Sequence, residues 1–273
     1  DPSRLGGFDL PFVVGALAAM ALSGALALLI GVITLNLRSD YLAIATIGLA
    51  EIIRLILKNE GWLTGGVRGL GPIENPAVGL GFEGDSATFG LLGLILLLVF
   101  AAYRLNEGAW ASPWGRVLRA IRENEPAASA MGKNVLSFRL QAFALGSAYM
   151  GLAGALYAHY VGFISPEAFE LEFTTLFLWA MLIVGGSGNN RGAILGAFVI
   201  WAFWTGSEFA VEAALAGLWA AWDGTGALLP SDWQQLGPPI RVFLMGLLLQ
   251  IALIARPQGL LPERPPAPPR AVR

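Results

Sequence analysis

Charged residues divide the chain into seven stretches that approach the roughly 20 apolar residues a helix needs to cross a hydrocarbon core. Leu10 to Leu37, Ser86 to Tyr103 and Leu140 to Phe163 carry no charge, and Tyr41 to Leu57 is interrupted only by Glu51 and Arg54. Phe173 to Asn190 runs into the glycine-rich Gly185-Gly186-Ser187-Gly188, which reads as a tight turn between helices; Gly192 to Glu212 and Pro238 to Ile254 complete the set. The pattern predicts an all-α protein, a polytopic transmembrane helical bundle with about seven spans. Small residues at close spacing, Gly146-Ser147 with Gly151 and Gly154, and Gly192 with Gly196, are suited to close approach of helix backbones.

Threading seven crossings alternately separates the basic residues. Arg38, the group from Arg104 to Arg139, Arg191, Arg256 and the arginines beyond it fall on one side; Arg4, Lys58, Arg68 and Arg241 fall on the other. The positive side is cytoplasmic, so the C-terminus is predicted inside and the N-terminus outside. An outside N-terminus that begins at Asp1, with no signal peptide, reads as a fragment preceded by further spans.

Composition agrees with the membrane assignment. Charged residues make up 13% of the 273 residues, about half the usual share of roughly 25%. Apolar residues make up 56% and mean hydropathy is +0.64, more apolar surface than a water-facing globule of this size can hide. A net charge of −2 argues against nucleic acid as a partner. With no Cys and one His, thiolate chemistry and Cys-ligated metals are excluded and no metal site or cofactor is predicted. Phosphate-cradling G-x-x-x-x-G-K-[ST] is absent, so any nucleotide-derived energy must come from another chain.

The longest stretch on the positive side, 104–139, has helix signals of its own. Ser112-Pro113 reads as an N-cap and first-turn proline ahead of Trp114 to Glu123, and Glu125-Pro126 opens a second short helix that Gly132 ends. Arg116, Arg119 and Arg122 make the element basic, and Ala127, Ala128, Ser129, Ala130 and Gly132 would let another protein pack closely. Topology anchoring by the positive residues alone is the plainer reading; a docking surface for a cytoplasmic partner is the sharper one.

At this loop the sequence becomes familiar. Gly115-Arg116-Val117-Leu118-Arg119-Ala120-Ile121-Arg122-Glu123-Asn124-Glu125-Pro126-Ala127-Ala128-Ser129-Ala130-Met131-Gly132 resembles the loop by which branched-chain amino acid ABC permeases of the LivM family seat on their ATPase. Asp40-Tyr41-Leu42-Ala43-Ile44 with Glu51-Ile52-Ile53-Arg54-Leu55, Leu63-Thr64-Gly65-Gly66, Ile164-Ser165-Pro166, Gly185-Gly186-Ser187-Gly188 and Arg256-Pro257-Gln258-Gly259-Leu260-Leu261 also fit, in order, from about Leu10 to Leu261. Asn189-Asn190-Arg191 departs from the family, which is usually apolar or small there. The resemblance implies a permease domain over 10–261 whose N-terminal spans lie before Asp1, an ATPase-coupling loop over 104–139, and a disordered Pro/Arg-rich tail over 262–273. It implies a multi-pass protein of the bacterial inner membrane, working with a second permease subunit, two cytoplasmic ATPases and a periplasmic substrate-binding protein. That protein would land on Asn59 to Asp85 and on Ala213 to Gly237. The coupling residues would be Arg116, Arg119, Arg122, Glu125, Ala127, Ala128 and Gly132. Urea and short-amide ABC permeases share these signatures and are the alternative within the class.

Glu51 and Arg54 are the costliest residues for a span, since a charge there costs on the order of 3 kcal/mol by insertion scales. At i, i+3 they share a helix face that Lys58 extends. A structural ion pair is one reading; a path for a zwitterion, meeting ammonium with carboxylate and carboxylate with guanidinium, is the other. An ion-coupled secondary transporter would use Glu51 for a coupling proton, but such proteins are built on inverted repeats and no internal repeat is visible. Glu208 and Glu212 read as solvated at a span end, Tyr157, His159 and Tyr160 as an interfacial belt, and Ala213 to Gly237 as an amphipathic element lying on the outer leaflet.

Overall fold

Helices are the only extended regular elements in the computed structural model, which describes residues 11–170, 174–222 and 237–263. The chain divides into two units, Asp1–Glu170 and Leu171–Arg273. Among the described residues, four helices are both long and apolar enough to cross a membrane: α1 (Phe12–Thr34), α4 (Asp85–Ala111), α9 (Asn190–Trp222, of which Asn190–Gly217 qualifies) and α10 (Gly237–Ala255). Two more, α2 (Ser39–Asn59) and α7 (Val135–Val161), have the length but carry charges or many Gly, Ala, Ser and Tyr residues. The seventh expected span is shorter than its apolar run, because α8 (Leu176–Gly185) stops ten residues on, at Gly185. The chain is a polytopic helical membrane bundle.

In the first unit, a four-residue link joins α1 to α2, a single turn α3 (Gly61–Thr64) opens an irregular segment up to α4, and α5 (Pro113–Glu123) and α6 (Glu125–Ala130) lead into α7. Helix α1 runs antiparallel along α7. Phe12 meets His159 edge to face at 5.0 Å at one end, and Gly31 lies against Leu140 and Phe143 at the other. Between them Gly24 faces Ala144 and Ala148, and Gly151 is pressed against Ala19 and Ser23. These are the close approaches that small residues permit where lipid offers no hydrophobic drive. Gly146 and Gly154, expected to share that role, have nothing within 4 Å of where a Cβ would stand.

In the second unit, Ala180, Val184 and the fully buried Ile200 form a core with Phe177, Met181, Leu248, Leu249 and Leu260. Helices α8 and α9 cross at Gly185, Gly192 and Gly196, whose backbones touch. The turn between them needs Gly186 (φ 115°) and Gly188 (φ 91°), a region L side chains avoid. Asn189 is the N-cap of α9, its Oδ1 accepting from the Arg191 N–H at 3.0 Å while its Nδ2 donates to the Pro262 carbonyl at 3.1 Å. The residues after α10 return to this turn. The Leu260 and Leu261 N–H groups donate to the Val184 and Gly185 carbonyls (2.9 and 3.0 Å), satisfying acceptors that the end of α8 leaves open.

One expectation is revised. Ala213 to Trp222 continues α9 instead of starting a separate interfacial element, because its alanines sustain the helix; Asp223, Asp232 and Trp233 lie outside the described residues. So do residues 264–273 of the Pro/Arg-rich tail, whose first two residues, Pro262 and Glu263, are described.

The glycine contacts separate by sign. Gly196→Leu should destabilise the detergent-solubilised protein by roughly 1–3 kcal/mol, because its Cβ would stand 2.8 Å from the Gly185 backbone. Gly146→Ala, in open space within a helix, should be neutral or stabilise by up to about 1 kcal/mol. Thermal unfolding of both variants checks the pair; a destabilising Gly146→Ala would mean that face packs against another subunit.

Candidate functional site

Leu42, Ala45, Thr46, Leu49, Ile53, Arg54, Leu57 and Lys58 recur at spacings of three and four and make the more covered face of α2. Arg54 therefore points inward near the end of the helix. Its Nε and Nη2 donate to the two oxygens of Glu51 at 2.9 and 2.6 Å, a bidentate pair across one helical turn. The arginine is the buried member, with 17% of its side chain exposed against 41% for Glu51.

Two carboxylates not singled out in the sequence join them. Glu170 Oε1 stands 3.7 Å from Arg54 Nη1, and Glu167 Oε1 is 3.2 Å from Lys58 Nζ. Both belong to the 3₁₀ turn Pro166–Phe169 and its following residue. This turn is carried to α2 by backbone pairing. Helix α7 ends at Gly162, and Leu70 and Ile164 then exchange N–H···O bonds of 2.8 and 2.9 Å, while the Ile73 N–H donates to the Gly162 carbonyl at 2.7 Å. Leu63-Thr64-Gly65-Gly66 supplies the other half. The Thr64 hydroxyl donates back to the Leu57 carbonyl and accepts from the Gly66 N–H at 3.3 Å, folding the chain tightly off the end of α2. Two motifs about a hundred residues apart thus meet beside Arg54. Their signal in sequence was the motif identity alone; nothing local marks Glu167 and Glu170 as partners of α2.

The element predicted over 104–139 forms as two helices. Ser112 Oγ caps α5 by accepting from the Gly115 N–H at 3.2 Å, Asn124 Oδ1 caps α6 by accepting from the Ala127 N–H at 3.0 Å, and Gly132 (φ 76°) follows α6. Arg119 stacks on Trp110, 4.4 Å from its ring centre, and donates to the Trp110 carbonyl at 2.8 Å. Arg116 donates to the Ala111 carbonyl at 3.4 Å. Glu125 pairs with Arg139 at 2.6 Å, tying α6 to α7. Arg122 is exposed. The small residues split by face: Ala128 is buried with Ile121, whereas Ala127, Ser129, Ala130 and Gly132 are exposed. Beside them Met131, which residue-type reasoning passed over, is 80% exposed.

Glu208, expected to be solvated at a span end, is half-exposed and also finds a partner. Arg241, in the second turn of α10, pairs with Glu208 of α9 at 3.0 Å, donates to the Trp204 carbonyl at 3.3 Å and lies over the Trp204 ring at 4.2 Å. No group of three or more His, Cys, Asp or Glu suited to a metal ion occurs among the described residues.

Known proteins resemble the chain along most of its length. The family model "Branched-chain amino acid transport system / permease component" matches residues 5–253. A probable branched-chain amino acid transport permease protein LivM of Methanocaldococcus jannaschii is 29% identical over 90% of this chain and 68% of its own length. High-affinity branched-chain amino acid transport system permease proteins LivM of Salmonella typhimurium and Escherichia coli are 32% and 30% identical over 89% and 93% of this chain. The chain spans only 56% and 57% of those two proteins. An autoinducer 2 import system permease protein LsrC of Salmonella typhimurium is 30% identical over 71% of the chain. No solved structure matches.

If Glu51 and Arg54 stabilise one another, removing one partner leaves the other uncompensated. Glu51→Gln and Arg54→Gln should each lower the unfolding free energy, and the double variant should lose measurably less than their sum. Denaturant or thermal unfolding of the four proteins measures this; strict additivity would show the pair to be uncoupled.

Proposed function

This chain belongs to the branched-chain amino acid transport system permease family, and on that premise we propose that it is the membrane-spanning subunit of an ABC importer carrying branched-chain or related amino acids across the inner membrane. It works with a second permease subunit, two ATPases on the cytoplasmic side and a periplasmic binding protein, and its C-terminus is cytoplasmic. The observation that carries the reading is the preformed α5–α6 element. Two capped helices, tied back to the bundle by Arg119–Trp110 and Glu125–Arg139, present an exposed patch of Ala127, Ser129, Ala130 and Met131.

Such a patch suits a coupling surface. A rigid apolar knob with small neighbours fits a groove on another protein, and the tethers pass a push on the knob into α4 and α7. Ala128 supports the element from within. In the membrane, Glu51 and Arg54 border the path, where Arg54, held by Glu51, offers its charge to the carboxylate of a zwitterion. The longer match to the branched-chain permeases, compared with the 71% shared with the autoinducer 2 permease, favours amino acids as cargo.

Vesicles holding the chain with its partner subunits should accumulate leucine only when ATP is supplied, with other neutral amino acids and urea as comparisons. ATP-independent equilibration by the chain alone would instead indicate an ion-coupled carrier. In the same vesicles, Met131→Glu and Ala127→Trp should cut coupled uptake about tenfold or more, equivalent to roughly 1.4 kcal/mol of docking, while membrane insertion is retained. Ala128→Leu should behave differently, lowering the yield of folded protein because that side chain has no room. Full coupled uptake by both surface variants would remove α6 as the coupling surface.

A further inference from the structure

We infer that Arg54 is a carboxylate-binding residue whose open edge is guarded by Glu170, so that the carboxylate of a zwitterionic ligand exchanges with Glu170 and frees the far end of the Pro166–Phe169 turn from α2. This rests on the amino acid transport reading proposed above and names a residue exchange within it.

A guanidinium offers hydrogen bonds along more than one edge. Glu51 fills the edge made by Nε and Nη2 of Arg54, so that part is a fixed structural pair. Nη1 is different: it is buried and has no hydrogen-bond partner. Glu170 Oε1 stands 3.7 Å from it, beyond a hydrogen bond but within an ion pair. Glu170 is itself half-exposed, so it can swing away while Arg54 stays held by Glu51. A buried, charged donor with one position unmatched, beside a carboxylate that can leave, is arranged to accept a competing carboxylate.

The charges around it choose the ligand. Among the described residues, Glu51, Glu167 and Glu170 pair with Arg54 and Lys58, three carboxylates to two cations. A simple carboxylate is therefore repelled. An α-amino acid brings its ammonium with it, and the displaced Glu170 accepts from that ammonium while Arg54 takes the carboxylate. The turn does not detach as a whole. Lys58–Glu167 at 3.2 Å and the Leu70–Ile164 pairing hold its beginning, so exchange at Arg54 moves its far end.

The chain has no native cysteine, which permits a direct distance measurement. Cysteines introduced at Asn59 and Ala168 carry spin labels in the assembled transporter in lipid vesicles. Millimolar leucine should shift the label separation to longer distances. Leucinamide, which lacks the carboxylate, and isocaproate, which lacks the ammonium, should not. Glu170→Gln should give the long distance without ligand. An unchanged distance in vesicles that accumulate leucine with ATP would overturn the exchange at Arg54 and leave the importer reading intact. A leucine-dependent shift without ATP-driven uptake would support the exchange and count against the importer. An equal shift with isocaproate would overturn the role of Glu170 as ammonium acceptor.

Discussion

Hydrocarbon offers a polypeptide no hydrogen bonds and gives one apolar helix no reason to prefer another helix over lipid. Everything in this fold answers to that. Backbone groups are satisfied within helices, and at the end of α8 the Leu260 and Leu261 amides take up the carbonyls left open. Large apolar side chains turn outward, among them Leu29 and Ile33 on α1, Phe100 on α4 and Phe243 and Ile254 on α10. In water such faces would drive aggregation; in lipid they are ordinary solvent-facing surface. Cohesion comes from contact where side chains are smallest, at Gly24, Gly31 and Gly151 in one unit and Gly185, Gly192 and Gly196 in the other.

The same medium governs the charges. Arg54 and Arg241 are both largely covered, and each is held by a glutamate. Their surroundings differ in a way that suits different work. Arg241 is enclosed by Glu208, the Trp204 carbonyl and the Trp204 ring, all on α9, and so fastens α10 to its neighbour. Arg54 is paired firmly within its own helix and only loosely across to Glu170. Each arginine keeps one buried nitrogen unmatched, Nη1 in Arg54 and Nε in Arg241, so the difference lies in the second, loosely held carboxylate that stands beside Arg54.

Much of this was legible in the sequence because it is local. Uncharged runs located the helices, Ser112-Pro113 and Glu125-Pro126 placed the starts of α5 and α6, and the glycines at 185–188 marked a turn. The i, i+3 spacing of Glu51 and Arg54 gave their pairing. What was not legible depends on distant partners. Glu167 and Glu170 reach α2 only because Leu70 pairs with Ile164, a contact no spacing rule contains. Ala128 looked like part of a docking surface, but which face of a six-residue helix is covered is decided by how α5 lies beside it. The polar Asn189, a departure from the expected pattern, is explained once the tail is in place, since it caps α9 and holds Pro262.

The return of Leu260 and Leu261 to the end of α8 also orders events in time. A ribosome delivers α8, the glycine turn and all of α9 before the residues that close them exist, so the Val184 and Gly185 carbonyls remain open until α10 has been inserted and its following segment has emerged. The second unit therefore cannot be completed progressively as it enters the membrane. It becomes finished in one late step, when the Leu260 and Leu261 amides reach the end of α8.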